Sequence, residues 1–153
     1  MRKLILICLM SVSLGCFADV LQLGQQISPF KLANQHGKLI TVDDKAKVIL
    51  FTKEKAPSVL LNNFLLKQSK DFLAKNSAFY IADISGMPFL ISKIIALPKM
   101  RKQPFDILLA KNETTLAFVP HKEDFITVIK RKEGKITAIN FVNLMDVLEK
   151  SFK

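Results

Sequence analysis

The side chains in this sequence that could do chemistry are few, and none of them forms a complete catalytic motif. The two histidines, His36 and His121, stand apart from acidic pairs at metal-ligand spacing, so a transition-metal site would need folding to bring them together. His121, a carboxylate and Ser85 could make a base and a nucleophile, but no serine lies in a G-x-S-x-G elbow. We therefore predict no catalytic residue and no metal ligand.

A run of cations is the second candidate site. Lys99, Arg101 and Lys102 fall within four residues, and they could bind a carboxylate or a phosphate, with Arg101 making two parallel hydrogen bonds. The alternative is that they complement the dipole at the end of a helix and need no ligand. The sequence leaves both interpretations open.

Thiol chemistry is limited by where the two cysteines stand. Cys8 and Cys16 both precede Ala18, in a segment with a basic start at Arg2 and an apolar run too short to span a bilayer. This pattern predicts a signal peptide over residues 1–18, although a retained membrane anchor and a lipidated Cys16 are alternatives. Cleavage after Ala18 would leave residues 19–153 as one domain without a thiol, and we expect it in the periplasm or secreted.

The charge balance indicates which partners to expect. The whole chain has 23 lysine and arginine residues against 13 acidic residues, a net charge of +10. Behind a signal peptide, this excess points to an unknown envelope protein or an anionic ligand and not to nucleic acid. Because the basic residues are scattered along the chain, a solvated, solubilising surface is the simpler interpretation.

Apolar patterning predicts alternating strands and helices that would position these side chains. Gly37 lies in a predicted hairpin turn, and a helix after Pro57 places Leu61, Phe64, Leu65 and Phe72 on one stripe. The predicted strands are Phe30–Asn34, Leu39–Val42, Val48–Phe51, Ala78–Ala82, Phe105–Ala110, Thr115–Val119, Phe125–Lys130 and Lys135–Ile139. The order favours a mixed sheet with helices on both faces.

Two further helices are predicted from their apolar spacing. One is capped by Ser85, has Pro88 in its first turn and ends at Pro98. Its expected buried stripe is Met87, Leu90, Ile91, Ile94 and Ile95. The other closes the core with Phe141, Leu144, Met145, Leu148 and Phe152.

Several short motifs, taken in order, resemble the peroxiredoxin and redoxin branch of the thioredoxin-like superfamily. They are Leu23-Gly24-Gln25 with Ile27-Ser28-Pro29-Phe30-Lys31-Leu32, then Phe105-Asp106-Ile107-Leu108-Leu109, then Phe125-Ile126-Thr127-Val128-Ile129 with Lys132-Glu133-Gly134-Lys135-Ile136. Residues 82–88 and 96–102 resemble a group of small exported bacterial proteins of unassigned function. Some of that group are labelled flavin-dependent dehydrogenases, but this chain has no G-x-G-x-x-G after a strand, and we predict no cofactor.

The resemblance implies a thioredoxin-like α/β fold with an N-terminal β-hairpin, and two departures from it matter. Where redox members carry cysteine, this loop reads Lys53-Glu54-Lys55-Ala56-Pro57-Ser58, and where many carry a cis-proline, it reads Lys122-Glu123-Asp124. A thiol oxidoreductase or peroxidase reaction is therefore not expected. Pro120 is near, but the sequence does not show whether its peptide bond is cis.

In the fold that the resemblance implies, three loops converge on one edge of the sheet. They would bring together Lys53, Glu54 and Lys55 with Asp83, Ser85 and Met87, and with His121, Glu123 and Asp124. We predict a redox-inactive binding module of the bacterial envelope. Its expected binding residues are Asp83, Ser85, Met87, Lys99, Arg101, Lys102, His121 and Asp124. The alternatives are a non-thiol enzyme at the same edge and a basic protein held at the envelope surface by charge.

Overall fold

One seven-stranded mixed sheet organises the protein. The computed structural model describes residues 20–153, so the predicted leader with Cys8 and Cys16 lies outside the described residues. The strands are β1 (Phe30–Asn34), β2 (Leu39–Val42), β3 (Val48–Thr52), β4 (Ala78–Asp83), β5 (Leu108–Ala110), β6 (Ile126–Lys132) and β7 (Lys135–Val142). Their order across the sheet is β2-β1-β5-β4-β3-β6-β7.

The centre of the sheet is parallel. Strand β3 is buried at all five positions, as its continuous apolar run predicted, because both of its faces are covered. It runs parallel to β4 with Thr52 opposite Ala82, and β4 runs parallel to β5. The carboxyl ends of these three strands therefore meet at one edge, and the loops that follow them start there.

Both predicted hairpins are confirmed. Strands β1 and β2 pair antiparallel around a turn at Gly37, whose φ is 85°. Strands β6 and β7 pair around Glu133 and Gly134, which have φ values of 53° and 79°. Two consecutive residues with positive φ are what a tight two-residue hairpin requires.

The helices are shorter than the sequence pattern predicted, with one exception. They are α1 (Lys55–Leu66), α2 (Phe72–Lys75), α3 (Phe89–Ile91), a π-helical stretch (Ser92–Ala96), α4 (Leu97–Arg101) and α5 (Met145–Lys150). The helix predicted after Pro57 ends at Leu66, and Phe72 belongs to the separate α2, where its ring packs edge-on against Phe64 at 5.7 Å. No helix within residues 20–153 is long and apolar enough to cross a bilayer.

Two apolar clusters form the core, one on each face of the sheet. The first combines strand residues with helix residues such as Leu61, Phe64 and Leu148. The second contains no residue of the described helices. It is closed by Ile27 of the N-terminal segment and by Leu116 and Val119 of a run of turns over residues 113–118. The mixed sheet with helices is confirmed, while turns cover the face on which further helices were expected.

One helix is longer than predicted. It runs without a break over residues 89–101 and consists of α3, the π-helical stretch and α4. We predicted that Pro98 ends it, but Pro98 lies inside it. Proline has no N–H to donate and its ring crowds the carbonyl four residues earlier. The wider π-helical turn, in which Leu97 N–H donates to Ser92 O, precedes Pro98 and relieves this conflict.

The predicted buried stripe of this helix is wrong. Leu90, Ile91, Ile94 and Ile95 are exposed, at 66%, 47%, 66% and 50%, and of the predicted set Met87 alone packs against the core. The inward face instead carries Leu97 and Met100. Periodicity showed that a helix forms, but it did not show which side would meet the sheet.

Three other predictions are corrected. The strand expected over Phe105–Ala110 is restricted to β5, and Thr115–Val119 forms turns, with Leu116 and Val119 buried three residues apart. The C-terminal helix begins at Met145, because β7 extends to Val142. Phe141, which was predicted to lie on the helix, therefore belongs to β7. Leu144 precedes the first turn and is 56% exposed, whereas Leu148 is fully buried.

Candidate functional site

Two charged side chains follow the ends of the parallel strands. Lys53 comes directly after β3, and Asp83 is the last residue of β4, so the register places them side by side. Lys53 Nζ lies 4.0 Å from Asp83 Oδ2, with side-chain exposures of 46% and 8%. The other oxygen, Asp83 Oδ1, accepts a hydrogen bond from the Ser85 N–H at 2.9 Å. The carboxylate is thus held in place while the ammonium group stays in solvent.

A second polar pair joins the loop after β3 to the loop before β6. His121 Nε2 and Glu54 Oε1 are 2.5 Å apart, and both side chains are about one-third exposed, at 33% and 28%. The loop that carries His121 is anchored where Thr127 Oγ1 donates to the Pro120 carbonyl at 2.8 Å. The other carboxylate oxygen, Glu54 Oε2, is buried and has no hydrogen-bond partner among residues 20–153.

These side chains surround a pocket of about 280 Å³ at the carboxyl edge of the sheet. Its charged lining consists of Lys53, Asp83, Glu113 and His121. Its apolar lining is Val20, Phe51, Leu116, Ala117, Val119 and Pro120. Glu113 was not predicted as a site residue, because it was interpreted as part of a turn before the strand expected over Thr115–Val119. Ligands of open α/β sheets bind outside the carboxyl ends of the strands, and this pocket lies there.

The hydroxyl groups of Ser58, Thr52 and Tyr80 lie in a row that supports the loop after β3. Ser58 Oγ lies 2.9 Å from Thr52 Oγ1, which lies 3.5 Å from the Tyr80 hydroxyl, and Ser58 also donates to the Glu54 carbonyl at 2.8 Å. Burial raises the pKa of the Tyr80 phenol, and the hydrogen bonds to Thr52 and Ser58 oppose that shift. Tyr80 therefore stays neutral and acts as a fixed support. No sequence pattern pointed to this arrangement, since Tyr80 is 28 residues from Thr52 and meets it only through the pairing of β3 with β4.

The same architecture occurs in solved structures. Peroxidoxin BcpB from Mycobacterium tuberculosis superposes with a TM-score of 0.55 at 14% identity, covering 85% of this chain and 93% of its own. The thiol-disulfide proteins give similar values. A proposed thiol:disulfide interchange protein DsbE from Chlorobium tepidum has a TM-score of 0.58 at 13% identity, with 86% and 95% covered.

The pneumococcal exposed lipoprotein thioredoxin Etrx1 from Streptococcus pneumoniae has a TM-score of 0.54 at 17% identity, covering 82% of this chain and 98% of its own. The chain has a thioredoxin-like fold. No protein-family model matches the sequence, and no curated protein is significantly similar to it. At these identities the likeness concerns the fold alone, so the functions of these proteins do not transfer to this thioredoxin-like chain.

Within the thioredoxin-like fold, the predicted site residues do not all meet at one place. Asp83 and His121 line the same pocket, and Ser85 is next to it through its hydrogen bond to Asp83. Met87 packs against the core instead. Asp124 is an exposed residue at a φ of 61° in the loop before β6 and does not line the pocket. All peptide bonds in residues 20–153, including the one before Pro120, are trans.

Ser85 does not act as predicted. The helix starts at Phe89 after Pro88, and no side chain caps it, so Ser85 is not its N-cap. Ser85 Oγ is buried and makes no hydrogen bond within the described part of the chain. A serine nucleophile needs a hydrogen bond to its base, and His121 is bonded to Glu54 instead. Ser85 and His121 therefore do not form a nucleophile and base pair within residues 20–153.

The basic segment lies at the other end of the 89–101 helix. Lys99 and Arg101 are in its last turn, and Lys102 is the residue that ends it. The Arg101 Nε–H donates to the Gln35 carbonyl at 3.0 Å, next to the β1–β2 turn. A helix of this length extends roughly 20 Å, so the three cations and the Asp83 pocket are separate surfaces.

A larger cavity of about 550 Å³ lies towards the opposite edge of the sheet, near Ser77, Ala78 and His36. It contains none of the predicted binding residues, and it faces the amino ends of β3 and β4. Volume alone does not identify a site. The smaller pocket has polar side-chain pairs that join separate loops at the edge where this kind of sheet binds ligands, and it is the better candidate. Within residues 20–153, no three Cys, His, Asp or Glu side chains are grouped so as to hold a metal ion.

Proposed function

We propose that this protein is an exported, redox-inactive member of the thioredoxin-like fold that works by binding a small ligand in the pocket of Lys53, Asp83, Glu113 and His121. The observation that carries this proposal is the presence of two polar side-chain pairs, and no thiol, at the carboxyl edge. Residues 19–153 contain no cysteine, and Lys53–Asp83 and Glu54–His121 join separate segments around an open pocket.

The charge around the pocket favours the class of ligand. Three carboxylates, Glu54, Asp83 and Glu113, lie at or beside it, against Lys53 and His121. The Asp83 carboxylate lines the pocket and is a hydrogen-bond acceptor with little exposure to water. A ligand bearing an amine or an N–H donor would add a charge-assisted hydrogen bond to it, beside the ion pair with Lys53 and the hydrogen bond from the Ser85 N–H. The anionic partner predicted from net charge fits the basic end of the 89–101 helix better.

The alternative of a non-thiol enzyme is less well supported. It needs an acid–base group beside a nucleophile, but Ser85 Oγ is not bonded to His121 and Asp124 lies outside the pocket. Binding requires only the charges and the shape that are present. We therefore favour a binding module over an enzyme.

A charge-neutral substitution in the pocket is the sharpest test of binding. Asp83→Asn keeps an oxygen for the Ser85 N–H and removes the charge, so we expect the fold to persist and retained ligand to fall at least tenfold. The measurement is mass spectrometry of material captured from envelope extract and eluted first with salt, then with denaturant. Glu123→Gln, in the exposed loop before β6, is the matched control. Equal recovery by Asp83→Asn and wild type would rule out this pocket.

Redox inactivity is tested separately. Because thiolate is the nucleophile of disulfide exchange and peroxide reduction, residues 19–153 should neither reduce insulin nor consume peroxide above a buffer blank. Turnover that persists after repurification would show that the redox-inactive part of the proposal is wrong.

Export is tested by mass. If the leader is removed after Ala18, protein from the native host should begin at Asp19, in a periplasmic or secreted fraction. A full-length chain, or one beginning at a lipidated Cys16, would contradict this cleavage.

A further inference from the structure

The 89–101 helix presents an apolar surface that the protein itself does not cover. Its members are Phe89 at 72% exposure, Leu90 and Ile94 at 66%, Ile95 at 50% and Ile91 at 47%. We call these five residues the outer patch. Neither of the two pockets described above includes any of them. Five large apolar side chains exposed together on one helix indicate an interaction surface, whereas scattered ones do not.

The helix is apolar on its inner side as well. Leu97 and Met100 pack against the first core cluster, so the helix already has an apolar face directed towards the core, and the outer patch is a second apolar face. Burying the outer patch in the sheet would expose Leu97 and Met100 in its place. The patch therefore needs a second apolar environment.

The charges around the outer patch define that environment. From residue 84 to residue 105 the chain has four cations and no acidic residue. The cations are Lys93, Lys99, Arg101 and Lys102, all exposed, and none of them forms a salt bridge within residues 20–153. Lys93 Nζ lies 5.5 Å above the Phe89 ring, so a cation sits directly at the border of the apolar surface.

We infer that the outer patch binds an anionic lipid bilayer, with the five apolar side chains entering the headgroup–acyl boundary and the four cations facing lipid phosphates. An apolar helix face bordered by lysine and arginine is the pattern of helices that lie in the membrane interface. The surface is the outer side of a helix and not a groove, which suits a planar bilayer. This surface is separate from the Asp83 pocket, and the inference does not rest on the proposed function.

A second copy of the chain is a poorer occupant. A symmetric contact brings together two copies of the same surface, each with four cations and no acidic residue between residues 84 and 105. Like charges brought together without acidic partners oppose association. A bilayer that contains anionic lipid provides both the apolar and the anionic component that the helix lacks.

The test is vesicle co-sedimentation of the protein expressed from its full-length gene, at physiological salt. Vesicles of phosphatidylglycerol and phosphatidylcholine at equal parts are compared with pure phosphatidylcholine vesicles. We expect binding at least tenfold tighter to the anionic vesicles, and weaker binding as salt is raised.

Two variants separate the apolar and the charge contributions. Leu90→Asn with Ile94→Asn removes two apolar side chains that are two-thirds exposed and should weaken binding at least tenfold without unfolding the protein. Lys99→Gln with Lys102→Gln should weaken it roughly tenfold and leave Arg101 on Gln35. The matched controls are Leu39→Asn with Leu66→Asn, at exposed apolar positions elsewhere, and Lys132→Gln with Lys135→Gln. Both controls should bind like wild type.

Insertion can be read directly because the chain contains no tryptophan. Phe89→Trp should show a blue shift of its emission with anionic vesicles, and Leu39→Trp should show none. The inference is overturned if wild type fails to bind anionic vesicles, if the patch variants bind as wild type does, or if Phe89→Trp stays solvent-exposed. If the outer patch binds a protein but no vesicle, the inference is also overturned. Loss of ligand by Asp83→Asn tests the pocket alone, so the two proposals fail independently.

Discussion

Leu148→Ala is expected to lower the free energy of unfolding by about 2–5 kcal/mol, the usual cost of this truncation in a core. Leu148 is fully buried and belongs to the same cluster as Leu61 and Val142. The adjoining Phe152 packs against Phe64 and Phe72 with ring centroids 5.9 and 4.9 Å away. Since small domains have roughly 5–15 kcal/mol in total, the thermal midpoint should fall on the order of 10 °C.

Leu144→Ala is the matched control. It makes the same truncation four residues earlier, at a side chain that is 56% exposed, so the midpoint should change little. Thermal unfolding followed by circular dichroism distinguishes the two variants. Equal midpoints for Leu148→Ala and wild type would mean that α5 does not close the core.

Arg131→Met is expected to destabilise the protein by about 3 kcal/mol or more, because the charged side chain makes several buried hydrogen bonds. Its guanidinium donates to the carbonyls of Asp43 at 3.0 Å, Ile27 at 3.3 Å and Gly134 at 3.3 Å. Its side chain is 1% exposed, and Asp44 Oδ1 is 3.6 Å away. Burial lowers the pKa of Arg131, with Asp44 and Asp43 opposing that shift, and the group stays charged at neutral pH.

Methionine has a similar length but no donors, so three segments would lose their common anchor. Lys132→Met, at the exposed neighbouring residue, is the control and should be close to neutral. Chemical denaturation with urea gives the free energies directly. Wild-type stability of Arg131→Met would show that these carbonyls are satisfied by water without the arginine.

Local patterns predicted the parts of the fold that local physics determines. The two hairpins and β3 follow from turn residues and from unbroken apolar runs, and Leu148 lies where the helical period places it. The orientation of the 89–101 helix was predicted wrongly. A strong helical period of apolar residues shows that they share one face of a helix, but it does not show whether the sheet covers that face. Thr115–Val119 was misread because β-branched and aromatic residues suit both an exposed strand and a turn packed on the sheet.

The candidate site was predicted in part for a similar reason. Asp83 and His121 could be placed because they follow or precede strands whose ends converge in the implied fold. The pairing of His121 with Glu54 and the position of Glu113 depend on how loops pack, which spacing does not encode. Arg101 lies at the far end of the 89–101 helix from the pocket, in keeping with the prediction that one helix separates it from Asp83, although the helix continues through Pro98.

The π-helical stretch over Ser92–Ala96 has a consequence for gene evolution. A π-helical turn holds one more residue than an α-helical turn, so it behaves as a single-residue insertion. Because the extra residue is taken up within this wide turn, loss of one codon within residues 92–96 would restore α-helical hydrogen bonding and leave Phe89, Leu90 and Ile91 facing nearly as they do now relative to Leu97 and Met100. Descendants of this gene can therefore gain or lose one residue in this stretch while the outer patch keeps its orientation relative to the core.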